Sequence, residues 1–488
     1  MAHRESTAFH PVHNDEETIL HKTEQDDIVW WDGDNDPSNP YNWTAWVINV
    51  NCGLLTCLNF ITPLASSMVA PGIPQIMQEF GNTSLELSAF VLSIYVLGFA
   101  IGPLIFAPMS EIYGRAITYH ICNVGWLAFI IGCALAPSLG SLIAFRFLSG
   151  AFGSCSITNG GGSIADMIPK EKRGAYMGLF SVGPLLGPVI GPVAGGFLSA
   201  AKGWRWIFWL LTIVGGVLTI AMFTFMRETY APLLLERKAA ARRKETGNDS
   251  FRSKLDTGLS STQVFKRAIT RPMKLLIFSP ISFVCALYMA IVYGYLYLMF
   301  STITQVFQEN YGFPTNLVGL VFLGLGLGSI IGIGLVGGTS DRHVKERIKI
   351  TGEAKPEDRL QLVPIGGFLL PIGLFIYGWT VQYHVHWIVP VIGMVIVGTG
   401  NMIIFMALIL YIVDAFTLYS ASALAANSFI RSIAGAVLPL AGLKMFVTLG
   451  IGWGNSLLGF IAVVMIPVPF LLSRYGELLR TKYEVKNL

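Results

Sequence analysis

The chain has 488 residues, 53% hydrophobic and 13% charged, with mean hydropathy +0.60 and a formal net charge of +4. A soluble chain carries about 25% charged residues, so the composition excludes a soluble domain and indicates an integral membrane protein. The six cysteines (52, 57, 122, 133, 155, 285) all lie in apolar runs, which excludes a disulfide framework and a Cys-x-x-Cys metal pattern.

Residues 1–44 form a polar tail rich in acids, among them Asp15, Glu16, Glu17, Asp32, Asp34 and Asp36. It is no cleavable signal peptide, and disorder is expected to about residue 30. From Trp30 to Trp43 turn formers mix with aromatics, as in a belt segment lying on a membrane surface. Hydropathy and helix breakers then give twelve spans, roughly 45–68, 85–106, 117–137, 141–165, 174–199, 205–226, 276–300, 318–338, 362–382, 387–412, 419–446 and 453–473. A charged stretch at 227–275 separates a bundle at 45–226 from a bundle at 276–473, and a tail at 474–488 follows. The fold class is all-α and membrane-embedded, in two six-helix halves.

Lysine and arginine placement sets the orientation. With the N-terminus inside, 28 of the 33 basic residues are cytoplasmic. The other five are Arg146, Lys202, Arg205, Arg431 and Lys444. Both termini and the 227–275 linker are therefore expected in the cytosol. Sequons occur at Asn42, Asn82 and Asn248. Only Asn82 is expected outside, with at most partial glycosylation because it sits close to span 2.

Span 5 carries glycine at 183, 187, 191 and 195 and proline at 184, 188 and 192. Four-residue spacing puts each set on one stripe of a helix. The glycine stripe admits close approach of a neighbouring helix, expected to come from the facing half. Each proline removes the amide that would bond the carbonyl four residues back, so the carbonyls of Phe180, Pro184 and Pro188 lose their usual donor. Lipid supplies none, so this face should meet protein or a water-filled cavity.

The halves echo each other. Met109 to Arg115 after span 2 and Gly338 to His343 after span 8 each pair small residues with an acid and an arginine. Span 11 answers the glycine–proline run of span 5 with Gly435 to Gly442, including Pro439. Duplicated halves of this kind are a transporter signature.

Four stretches carry a specific resemblance. They are Ser110 to Arg115, Leu142 to Gly150 around Arg146, Gly187 to Gly196, and Tyr411 to Pro439 with Val413-Asp414-Ala415 and Ala425 to Ser432. Together they resemble the major facilitator superfamily, and within it the fungal twelve-helix drug/proton antiporters, over residues 29–480. The first stretch departs from the family pattern at Ala107 and Ala116, where glycine and a basic residue are usual.

The resemblance implies a secondary transporter working by alternating access, with Gly183, Gly187, Pro188, Gly191, Pro192, Gly195 and Gly196 as its helix 5 antiporter motif. It implies a role for Arg146 near proton transfer or cavity shape. It also implies a charge cluster of Glu111, Arg115 and Asp166 at the cytoplasmic helix ends that locks the outward-facing state, with Asp414 as the matching acid in the second half. An arginine inside a span costs about 2.5–3.5 kcal/mol on insertion scales, so Arg146 reads as functional, with outward snorkelling as the alternative. Arg431 and Asn427, one turn apart, read as cavity-facing, with a structural interhelical hydrogen bond as the alternative. No acid lies mid-span, which leaves Glu111, Asp166 and Asp414 as protonation candidates. Asn59, Arg146, Asn159, Tyr288, Tyr293, Asn401, Asn427 and Arg431 are the substrate-cavity candidates, an amphipathic aromatic wall suited to a medium-sized neutral or anionic organic molecule.

Gly324-Leu325-Gly326-Leu327-Gly328 is no phosphate loop, since it lies in a span with no preceding strand and no following lysine. No nucleophile-elbow or His-Glu-x-x-His pattern occurs, and His343, His384 and His386 lie in loops. No metal, cofactor, catalysis or nucleic-acid partner is expected. The proton gradient is the expected energy source, lipid and a small organic substrate the partners, and a monomer in the plasma membrane the state. Export of drugs, toxins or secondary metabolites is favoured, with a nutrient importer or facilitator of acids, sugars or polyamines as the alternative.

Overall fold

The computed structural model describes residues 27–169, 172–256, 258–351, 355–416 and 419–482. Among them, twelve helical segments are long and apolar enough to cross a membrane. Spans 1 to 6 are Ala45–Glu79, Leu85–Ile112, Arg115–Ala134, Leu139–Met167, Arg173–Lys202 and Arg205–Phe225. Spans 7 to 12 are Pro280–Tyr311, Thr315–Thr339, Pro356–Gln382, Ile388–Ala415, Ser420–Leu449 and Ile451–Lys482.

Local chemistry sets the boundaries. Ser84 and Ser279 accept from the backbone amides of Leu87 and Ser282, and Ser138 forms a reciprocal box with Ser141, so serines open spans 2, 7 and 4. Gly114 and Gly203, at φ +100° and +87°, turn the chain between spans where a side chain would be strained. Span 1 outlasts its expected end at 68. A 3₁₀ turn at Ala70–Gly72 and the helix Ile73–Glu79 carry it on past the polar Ser66 and Ser67. Span 7 begins later than expected, because 276–278 close the helix before it and Ser279 opens a new one.

Within the first half, span 1 packs on span 5, span 2 on span 4, and span 3 on spans 4 and 6. Within the second, span 7 packs on span 11, and span 10 on spans 8 and 9. Span 2 runs against span 11 across the halves, and span 5 touches the start of span 8.

The linker is structured. It contains a first helix, Ala231–Thr246, and a second, Ser261–Phe278. Strand β1 (Ile28–Val29) pairs in parallel with β2 (Arg252–Ser253). Lys238 lies 2.8 Å from Asp32 and 2.9 Å from Asp36, and Arg242 lies 3.0 Å from Asp32. The segment after residue 27 is thus strapped onto the linker, where a surface belt was expected. The expected disorder falls largely on residues 1–26, outside the described residues. Burial alone would push the Asp36 carboxyl up. Hydrogen bonds from Lys238 and from the backbone amides of Asp32 and Ser38 overcome this and hold it well below the carboxylate range.

Candidate functional site

The glycine stripe of span 5 faces its own half. A Cβ at Gly183 would lie 2.9 Å from the Asn59 backbone, at Gly187 2.9 Å from Leu64 N, at Gly191 2.4 Å from Ser67 Oγ, and at Gly195 1.9 Å from Met68 O. All four belong to span 1, so the expected contact with the facing half is corrected. Alternate faces of a helix meet different neighbours, and it is Gly196 that reaches across. Its Cβ would lie 2.9 Å from Thr315 O and 3.2 Å from Gly319 Cα.

Those contacts lie at the end of the bundle away from the linker. There Ser66 Oγ and Tyr297 Oη are 3.0 Å apart, and Thr304 donates across 3.4 Å to Ala70 O. A Cβ at Gly326 would meet Val189 at 2.1 Å. Toward the linker end the glycines of spans 5 and 8 face open space. No described heavy atom would lie within 4 Å of a Cβ at Gly174, Gly178, Gly334, Gly337 or Gly338. A cavity of about 570 Å³ opens at the linker end, lined by Glu111, Tyr230, Arg267, Arg271, Ala421 and Ser422 among others.

Several expected cavity residues serve the scaffold. Asn59 is buried, and its Nδ2 donates across 2.8 Å to Phe180 O, the carbonyl that Pro184 deprives of an amide. Asn159 accepts from Ser110 and donates to Phe106 O, tying span 4 to span 2. Tyr288 is buried inside the second half, its Oη 3.3 Å from where a Gly367 Cβ would sit on span 9. Arg146 is fully buried. Its guanidinium donates to Val91 O at 2.6 Å, Ser66 O at 3.0 Å and Leu92 O at 3.5 Å, while Tyr95 and Phe208 cover its faces. Ser66 O lies at the end of the first helical segment of span 1, where carbonyls lack intrahelical donors. Arg146 therefore pins spans 1, 2 and 4 together.

Arg431 differs. It is half-buried, its guanidinium carbon 5.0 Å from the Tyr293 ring centroid and 5.2 Å from that of Phe405. A Cβ at Gly435 would touch both Tyr293 and Val96, so this cluster borders the first half. One turn earlier Asn427 is buried, with Nδ2 2.9 Å from Met289 Sδ and Oδ1 unpartnered. Asn401 is buried on span 10. Phe405 was not foreseen; it lies four residues after Asn401, on the same helix face.

The charge cluster is also redrawn. Arg115 Nε lies 3.3 Å from Asp166 Oδ2, Arg115 donates across 2.6 Å to Ser110 Oγ, and its guanidinium covers the Tyr230 ring. Glu228 completes it by accepting from the backbone amides of Arg115, Ala116 and Tyr230. All these groups belong to the first half and the start of the linker. Glu111 stands apart on the cavity wall, with no ion-pair partner within 4 Å among the described residues. In the second half Asp414 pairs at 2.9 Å with Arg359. The echo expected at Asp341 and Arg342 lies outside the described side chains. Asn82 accepts from the Ser84 amide beside a recess of about 210 Å³ at the far end.

A family model described as Major Facilitator Superfamily matches residues 55–439. The chain belongs to that superfamily. This facilitator is 56% identical to the MFS-type transporter tndD of Aspergillus flavipes over 462 residues, covering 94% of this chain and 86% of that one. It is 52% identical to the efflux pump radE of Floropilus chiversii, covering 94% and 86% of the two chains. Among solved structures it resembles a D-xylose-proton symporter, with TM-score 0.66 and 15% identity over 87% of this chain and 97% of that one. That likeness shows the fold. The protein is a multi-pass membrane transporter of two six-helix halves.

Proposed function

We propose that this transporter exports small organic molecules by proton-driven alternating access across the plasma membrane, with both termini cytosolic and no cofactor. The observation that carries the reading is the closure of the halves at the far end together with the cavity that opens at the linker end, bordered by span 2, span 11 and the linker. One inter-half space closed on one side is what alternating access requires. The basic excess at the linker end supports a cytosolic opening, in which case this state loads from inside. The relative named an efflux pump supports the direction. Asp166 and Asp414 sit beside arginines, which leaves Glu111, on the wall of the cavity, as the acid assigned to the proton.

The test is efflux of candidate compounds from cells expressing the protein, with and without a protonophore. Export that collapses with the gradient supports the reading, and net uptake or indifference to the gradient overturns it. A Ser250→Cys variant labelled from outside intact cells would overturn the orientation.

A further inference from the structure

We propose that Arg431 is the anion-binding group of the transport cavity, and that the substrate class is an organic carboxylate on a flat apolar body. The inference rests on the transporter reading above and adds the chemistry of its cargo.

Five basic side chains lie outside the positively charged end, and most have partners. Arg146 donates to three carbonyls. Arg205 pairs with Glu79, Lys444 lies 3.6 Å from Glu86, and Lys202 closes span 5 at the far end. Arg431 has neither an ion pair nor a hydrogen bond among the described residues, and its Nε is buried without an acceptor. It stands eleven residues into span 11, about 16 Å along the helix from the linker end. That is short of the Ser66–Tyr297 closure and about 9 Å along the helix beyond Ala425, which lines the linker-end cavity.

Uncompensated charge at this depth is costly. Tyr293 and Phe405 lower the cost through their ring faces. Ring faces leave the planar N–H edge free, and that edge matches a carboxylate in bidentate geometry. The two rings are nearly parallel, at 20°, with centroids 6.4 Å apart. They offer a flat apolar body a surface beside its charged end. The unpartnered Oδ1 of Asn427, one turn toward the opening, can accept from a hydroxyl on the same molecule.

The experiment uses the purified full-length protein in detergent and a panel of naphthoate, biphenylcarboxylate and pyrenebutyrate, each against its primary amide. Binding is read by tryptophan quenching. The parent should prefer acids over amides by about tenfold or more. Arg431→Gln should lose that preference while still binding amides, and Arg431→Lys should keep part of it. Should the variants not fold, phenylglyoxal modification of Arg431 in the parent, mapped by mass spectrometry, should be blocked by the acids and not by the amides. A panel without acid preference, a preference intact in Arg431→Gln, or modification indifferent to the acids overturns the proposal. Acid preference in a protein whose cells show no gradient-dependent efflux would sink the exporter reading and leave the anion site standing.

Discussion

Asn59 Nδ2 lies 2.8 Å from Phe180 O, the acceptor that Pro184 leaves without an amide. The side chain of one span repairs the backbone of another. Asn59→Leu should cost about 1–3 kcal/mol by stranding a buried carbonyl. Pro184→Ala restores the amide, so in the double variant part of that loss should return. Thermal unfolding of the four proteins in detergent measures the cycle, and strict additivity would show that the hydrogen bond contributes nothing.

Gly195 and Gly196 are neighbours with different tasks. Gly195→Ala drives a methyl toward Met68 O inside the first half, and the protein should lose folded yield. Gly196→Ala pushes on Thr315 and Gly319 of the other half. It should fold, yet favour the state open at the far end, because the penalty falls on the closed one. Labelling of a cysteine placed at Ser301 in the far-end recess reads this. Labelling at the parental rate would refute it.

Arg115 pairs with Asp166 and Ser110 inside the first half and reaches the start of the linker by covering the Tyr230 ring. Losing that stacking costs about 0.5–2 kcal/mol. Arg115→Ala should therefore speed tryptic cleavage at Arg242 and Arg243 by roughly two- to thirtyfold, if cleavage follows local opening. Glu228→Gln should act in the same direction and more weakly, since its amide oxygen still accepts.

The strap between Asp36 and the linker has a defined response to pH. The carboxyl is held below its ordinary value in the folded state. Its stabilisation is therefore complete above about pH 4 and fades as pH falls through the folded-state value. Hydrogen exchange at Arg252 and Lys254, whose amides donate to Asp27 O and Val29 O, corrected for intrinsic rates, should show constant protection between about pH 5 and 8 and lose it only in stronger acid. Asp36→Asn should weaken protection throughout that range and flatten the acid response.

Much of the architecture is written in local signals. Apolar runs and breakers reveal twelve spans and two halves, because backbone satisfaction in lipid admits little else. The site is less legible, because burial of an arginine says nothing of what it bonds. Arg146 and Arg431 look alike in the sequence, and carbonyls from distant spans separate them. Tyr288 and Tyr293 stand five residues apart, which puts them on different faces of one helix. That spacing could have excluded Tyr288 from the wall. Glu111 and Arg115 have a same-face spacing, but the helix ends at Ile112 and Gly114 at φ +100° turns the chain between them. Glu228 carries no local signal. It is one acid in a charged stretch, made significant by span 3 starting beside it.

The strap also dictates an order of assembly. Lys238 and Asp36 are separated by 202 residues, so the segment around Asp36 has no partner while six spans are being made. During synthesis Val29, wholly enclosed in the finished protein, is bare. It finds β2 only after span 6 has been threaded and the first linker helix released from the ribosome. Contacts of such long reach form late, so the clasp between Asp36 and Lys238 marks the completion of the first half before the second is inserted.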